Sequence, residues 1–169
     1  MPLKKITVID TPQIVQSSNQ LAAVIHLMIP RSEIGRVMGP AMGELMATLS
    51  AQGVAPAGPV FSHHLRMDPS TFNFEVGVPV AGPIKAVGRV KLGLLLGTTV
   101  ARTIYRGPYQ GLGSAWGEFM KWIVDNGHTP AIDLWESYVV GPESNPDPSK
   151  WETEFNRPLI FEVPGQQQS

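Results

Sequence analysis

The sequence predicts an α+β fold in which a strand, helix, strand, strand unit occurs twice, as an internal duplication with pseudo-twofold symmetry. The helices pack on antiparallel sheet, and a groove lies between the halves. Three observations predict this. One amphipathic helix is spelled twice, in "GPAMGELMATLSAQGVAP" (39–56) and within "IYRGPYQGLGSAWGEFMKWIVDNGHTP" (104–130). Each copy follows a β-rich stretch, and each precedes two more.

In the first half, "LAAVIHLMI" (21–29) is the leading strand. The helix after it carries Met38, Met42, Leu45, Met46 and Leu49 at helical spacing, and Gly53 and Pro56 end it. The strands "PVFSHHLRM" (59–67) and "FNFEVGVPV" (72–80) are separated by Asp68-Pro69-Ser70.

The second half repeats the order with "TVARTIYR" (99–106), a helix stripe of Leu112, Trp116, Phe119, Met120 and Ile123, and the stop Gly127…Pro130. The strands "IDLWESYVV" (132–140) and "FNRPLIFEV" (155–163) follow, divided by Asp147-Pro148-Ser149. Residue n lies over n+74 through the helices, matching Gly39 with Gly113, Gly43 with Gly117, Glu44 with Glu118 and Gly53 with Gly127. Near "ESNPD" an insertion of five residues widens the offset, and Glu75 then lies over Glu154. Frequent glycine, 17 residues, explains a shared composition but not a shared order.

A chain of 169 residues suits one domain, 1–169, with half one about 1–82, half two about 83–163, "VAGPIKAVG" (80–88) at the boundary and a mobile tail at 164–169. Apolar residues at 43% and charged residues at 16% describe a chain with a true interior. The absence of cysteine removes disulfides and thiolate chemistry and permits a cytoplasmic location. A formal charge of −1, with scattered lysines and arginines, argues against direct nucleic-acid binding. The N-terminus has no signal-peptide pattern, and the apolar run Leu92–Leu96 is too short to cross a membrane.

Positions where the copies differ are candidates for chemistry. Val60-Phe61-Ser62-His63-His64 stands over Leu134-Trp135-Glu136-Ser137-Tyr138. Alternation puts Leu134, Glu136, Tyr138 and Val140 on one strand face and Trp135, Ser137 and Val139 on the other. Glu136 thus sits among apolar and aromatic neighbours, its counterpart being Ser62, while His64 stands over Tyr138. Periodicity leaves two readings of Glu136 open: a desolvated anion in a groove, or a carboxylate on a solvated or arginine-paired strand face. Trp116 and Phe119, on the helix stripe, read as core.

No metal site is expected, because neighbouring His63 and His64 point to opposite faces and His26 and His128 stand alone. "GLGSAWG" (111–117) lies inside a helix without a following Lys-Ser or Lys-Thr, and reads as a packing feature rather than a phosphate loop. Ser137 has no histidine at a supporting spacing.

"YRGPYQGLGSAWGEFMKWIVDNG" with "LWESY" after it resembles the GyrI-like small-molecule-binding family, the effector-binding domain of AraC-type and multidrug-sensing activators. Arg106-Gly107-Pro108-Tyr109 resembles that family's His-Arg-Gly-Pro-Tyr turn, and Glu136 with Tyr138 its Glu-x-Tyr strand; in the first half the turn has become "IPRSEIGRV". The resemblance covers nearly the whole chain. It implies a groove for aromatic, often cationic, drug-like molecules with Glu136 at the floor, lined by Tyr138, Trp135, His64, Ser62 and Tyr109, and no cofactor. The implied role is a stand-alone sensor or sequestering module. An alternative is a hydrolase that opens the cyclopropane ring of DNA-alkylating natural products, with Glu136 and Tyr138 catalytic. A protein partner, as for a gyrase inhibitor, is a further one.

Overall fold

The computed structural model describes residues 9–160. The strands are β1 (Gln13–Gln16), β2 (Gln20–Pro30), β3 (Phe61–Met67), β4 (Thr71–Pro79), β5 (Lys91–Leu95), β6 (Thr99–Arg106), β7 (Leu134–Val140) and β8 (Glu152–Pro158). The helices are α1 (Ile34–Ala51) and α2 (Leu112–Asp125). All strand pairs are antiparallel, in one eight-stranded sheet of order β1-β6-β8-β7-β3-β4-β2-β5.

Each helix forms because its apolar residues recur on one stripe: Ala41, Leu45 and Leu49 in α1, and Ala115, Phe119 and Ile123 in α2, all within 1% of complete burial. Both stop alike. Gly53 (φ 67°) and Gly127 (φ 80°) adopt the left-handed conformation. Their N–H groups reach back to Ser50 and Val124, and those of Val54 and His128 to Leu49 and Ile123, which satisfies carbonyls left open by the helix end. Helix α1 has 18 residues against 14 in α2, the extra turn lying at its start, before Pro40.

The expected strands at 21–29 and 99–106 lie within β2 and β6, and those at 59–67, 72–80 and 132–140 overlap β3, β4 and β7. The last differs. Strand β8 begins at Glu152, three residues before the expected 155, and ends at Pro158, while 161–163 and the tail 164–169 lie outside the described residues. Two edge strands are additions: β1, too short to show a period, and β5, interrupted by Gly93.

The sheet is curled, and chain length requires it. Leu95 of β5 and Thr99 of β6 are joined by three residues, a reach of about 15 Å, whereas those strands stand six places apart in the sheet, about 29 Å if flat. Residues 96–98 of this link are held to residues 17–19, which join β1 to β2: Ser17 N donates to Thr98 O at 2.9 Å, Thr98 N to Ser17 Oγ at 2.9 Å and Gly97 N to Asn19 Oδ1 at 2.7 Å.

Both faces carry buried residues as a result. On the helix side, α1 covers Ala23, Ile25, Phe74, Val76 and Val78, and α2 covers Ala101, Tyr105 and Phe155. On the other side no helix of the described residues lies, yet Ala22, Val24, Phe61 and Trp135 are at most 6% exposed. The sheet curls over part of its own helix-free face, and the large cavity lies on the helix side, between α1 and α2.

Candidate functional site

Strands β3 and β7 pair at the centre of the sheet, with Ser62 opposite Glu136, Phe61 opposite Ser137 and His63 opposite Trp135. Helix α1 rests on β2 and β4, and α2 on β6. The middle strands therefore have no helix over them. The space above them is a cavity of about 760 Å³ lined by residues of both helices, within the size range of small-molecule sites.

Met38 and Met42 of α1 face Leu112, Trp116 and Met120 of α2 across this cavity; Ser62, His64, Leu134, Glu136 and Tyr138 line its floor, and Arg31, Phe72, Tyr109, Glu143 and Arg157 also contribute. Gly113 and Gly117 lie along the α2 wall, and a Cβ at either would meet nothing within 4 Å. Gly113 and Gly117 leave room at the cavity, whereas Gly111 is a packing position, because a Cβ there would collide with the Tyr105 hydroxyl; the expectation that "GLGSAWG" is a packing feature therefore holds for Gly111 and not for the other two glycines.

Glu136 is only 8% exposed. Its Oε2 accepts from Trp116 Nε1 at 2.6 Å and its Oε1 from the Tyr138 hydroxyl at 2.9 Å. Ser62 Oγ lies 2.7 Å from the Tyr138 oxygen. With the one Tyr138 proton committed to the carboxylate, Ser62 is the donor in that contact. Trp116 also stacks on Phe155 (4.3 Å, 7°). The expectation that Trp116 is plain core is thus corrected: one part packs in the core, and its N–H holds the cavity carboxylate.

Both donors to Glu136 are neutral, and among the described residues no cationic side chain lies within 4.0 Å of its carboxylate. The two arginines at the cavity are engaged elsewhere. Arg31 sits 4.4 Å over the Phe72 ring and donates to Asp68 O at 2.7 Å; Arg157 donates to Ala131 O at 3.0 and 2.6 Å. Burial pushes the Glu136 carboxyl up from the ordinary glutamate value, more than the bonds from Trp116 and Tyr138 lower it. Burial, then the adjoining carboxylate, pushes the Tyr138 hydroxyl well above its usual range.

Tyr109 reaches the cavity from the turn after β6. The Tyr105 hydroxyl donates to Pro108 O at 2.7 Å and fixes that turn, and Tyr109 stands edge-on to Tyr138 at 6.0 Å. Arg31 opens the 3-10 turn before α1, as Tyr109 opens the one before α2. Sequence reasoning missed Arg31, Met38 and Met42 at the cavity; the repeated helix start was the available signal.

His64, 8% exposed, stacks on Phe74 (5.0 Å) and meets Phe72 edge-on (5.2 Å). Burial first, then the charges of His63 and Arg31, lowers its pKa to about 4. The structure therefore brings together Glu136, Tyr138, His64, Ser62 and Tyr109. Trp135 does not join them: it points to the other face, edge-on to His63 at 6.1 Å, because neighbouring strand residues alternate. There His63 Nε2 lies 2.8 Å from Asp133 Oδ2. Among the described residues no three histidine or acidic side chains gather at metal-binding spacing, and no helix is long and apolar enough to cross a membrane.

The family described as GyrI-like small molecule binding domain matches residues 10–158. The chain belongs to that family. Solved structures similar to this GyrI-like domain include EcmrR in its complex with DNA, at 21% identity and a TM-score of 0.80, covering 93% of this chain and 59% of EcmrR. The domain thus spans about three-fifths of that protein. SAV2435 bound to tetraphenylphosphonium is similar at 13% identity and a TM-score of 0.67, covering 89% of this chain and 94% of the other. A hydrolase from Listeria innocua is similar at 15% and 0.63, covering 88% and 91%. At such identities the likeness is one of fold. No curated protein sequence matches the GyrI-like domain.

Proposed function

We propose that this GyrI-like domain binds flat, aromatic, cationic small molecules in the cavity between α1 and α2, with Glu136 as the counter-charge. The observation that carries this reading is a buried carboxylate with two neutral donors and no cationic partner at the floor of a largely apolar cavity. An isolated buried anion is costly, and a permanent cation offsets that cost while needing no hydrogen bond of its own. Trp116, Tyr109 and Tyr138 supply aromatic rings, whose π faces attract such a cation, and Met38, Met42 and Met120 are flexible enough to fit several shapes. The tetraphenylphosphonium bound to SAV2435 is an aromatic cation, tetrahedral rather than flat, on a similar fold.

Sequestration needs only the cavity, whereas control of transcription needs a DNA-binding element. Titration of rhodamine 6G into the protein and into Glu136→Gln, followed by fluorescence anisotropy, tests the reading. A roughly tenfold to hundredfold loss is expected, the range for a hydrogen bond or contact to a charged group. Equal affinities would remove the glutamate from the site.

A second reading rests on the raised pKa of Glu136 and its bond to Tyr138, which suit a general base. Glu136 would take a proton from water as the hydroxyl oxygen attacks a cyclopropane carbon; the strained C–C bond breaks, and its other carbon takes up a proton. Incubation with a cyclopropane-bearing alkylator should then give a product heavier by one water. Unchanged mass for several such compounds would end this reading.

A further inference from the structure

Besides Glu136, which lacks a cationic partner, the cavity floor holds a polar group with no hydrogen-bond partner among the described residues, two residues along β3 from Ser62. His64 forms no hydrogen bond to any described residue, and its Nδ1 is fully occluded. With Nδ1 shut off, Nε2 is the ring nitrogen that a molecule in the cavity can reach. The ring itself is held in place, stacked on Phe74 and edged by Phe72.

Two points fix what this nitrogen offers. The lowered pKa keeps the imidazole neutral near pH 7, so it carries one proton. An orphaned buried N–H is rarer than an orphaned acceptor, so the proton belongs on Nε2 rather than on occluded Nδ1. His64 therefore presents a donor to the cavity.

We infer that the Nε2–H of His64 is a second recognition point, which selects ligands carrying a hydrogen-bond acceptor oxygen at a set distance from the positive charge. Ser62 lies opposite Glu136, so His64, two residues on, is the diagonal neighbour of Glu136 across the strand pair; such diagonals span about 7–8 Å, and the acceptor belongs roughly that far from the cationic centre. The ligand class is thus narrowed from aromatic cations to aromatic cations with a distal carbonyl or ether. This inference rests on the proposed cation site.

Two probes of equal charge test it, 1-methylquinolinium and its 6-acetyl derivative, titrated calorimetrically against the wild-type protein, His64→Phe and Glu136→Gln. The phenyl ring keeps the stacked shape, and thermal melting checks that it folds. Wild type should bind the acetyl compound about fivefold more tightly, the usual worth of a neutral hydrogen bond. His64→Phe should abolish that preference by weakening the acetyl compound more than 1-methylquinolinium, while Glu136→Gln weakens both probes. No acetyl preference in wild type, or equal losses for both probes in His64→Phe, overturns the role of His64 and leaves the cation site standing. Failure of both probes to bind sinks the cation site and this inference with it. Nitrogen-15 shifts of the His64 ring give a ligand-free check, since a proton found on Nδ1 also overturns it.

Discussion

Trp116 on α2 donates a 2.6 Å hydrogen bond to Glu136 on β7, and this bond ties a wall of the cavity to its floor. Trp116→Phe removes the donor and can keep the ring stack on Phe155. Withdrawing one donor from a buried charged group costs about 1–3 kcal/mol, so the variant should be less stable by that order at neutral pH. It should also raise the Glu136 pKa further, moving the pH at which cation affinity sets in upward. Chemical denaturation and rhodamine titrations over a pH series check both effects; an unmoved pH dependence would count against the bond.

Glu136 should weaken the fold it serves. Its folded pKa lies above the ordinary value of 4.5, so the unfolded chain releases that proton first as pH rises. The resulting stability is full below the unfolded pKa and is lost as pH rises through the folded one. Glu136→Gln should therefore melt higher than wild type at neutral pH, with the gap closing in acid. A gap independent of pH contradicts the assignment.

His64 works in the opposite direction. Its pKa falls from 6.5 to about 4, with burial the main cause and the charges of His63 and Arg31 adding to it. The unfolded chain gains a proton below pH 6.5 that the folded chain refuses, so stability is complete above that pH and falls until about pH 4. The loss amounts to at most about 3 kcal/mol. In His64→Phe this component of acid destabilisation should vanish, as urea unfolding at several pH values would reveal.

Gly53→Ala and Gly127→Ala should each cost about 1 kcal/mol. A Cβ at either position meets nothing within 4 Å, so the penalty comes from the left-handed backbone alone, at φ 67° and 80°. Near-zero changes on denaturation would mean that the helix ends relax.

Much of the fold was legible in short windows. The alternation in "LWESYVV" correctly put Glu136 and Tyr138 on one face and separated Trp135 from them. The stops at Gly53 and Gly127 followed from glycine before proline, and the buried stripes from helical spacing. Trp116 was not legible as a cavity residue, because a position between core and rim on a helix stripe reads the same from sequence in either role. Its partner is 20 residues away. The edge strands β1 and β5 escaped notice because four or five residues carry too little period.

By itself the sequence determined the helices, their ends, and which side chains share a strand face. Those properties depend on backbone sterics and on neighbours a few positions away. Only the tertiary structure decided that Glu136 is buried and where its hydrogen bonds come from. Its burial depends on side chains of two helices walling the space above the middle strands, and its hydrogen bonds on Trp116 coming from α2 and on Tyr138, itself supported by Ser62 from 76 residues away. Burial and hydrogen-bond partnership are relations between distant segments, and no local pattern encodes them.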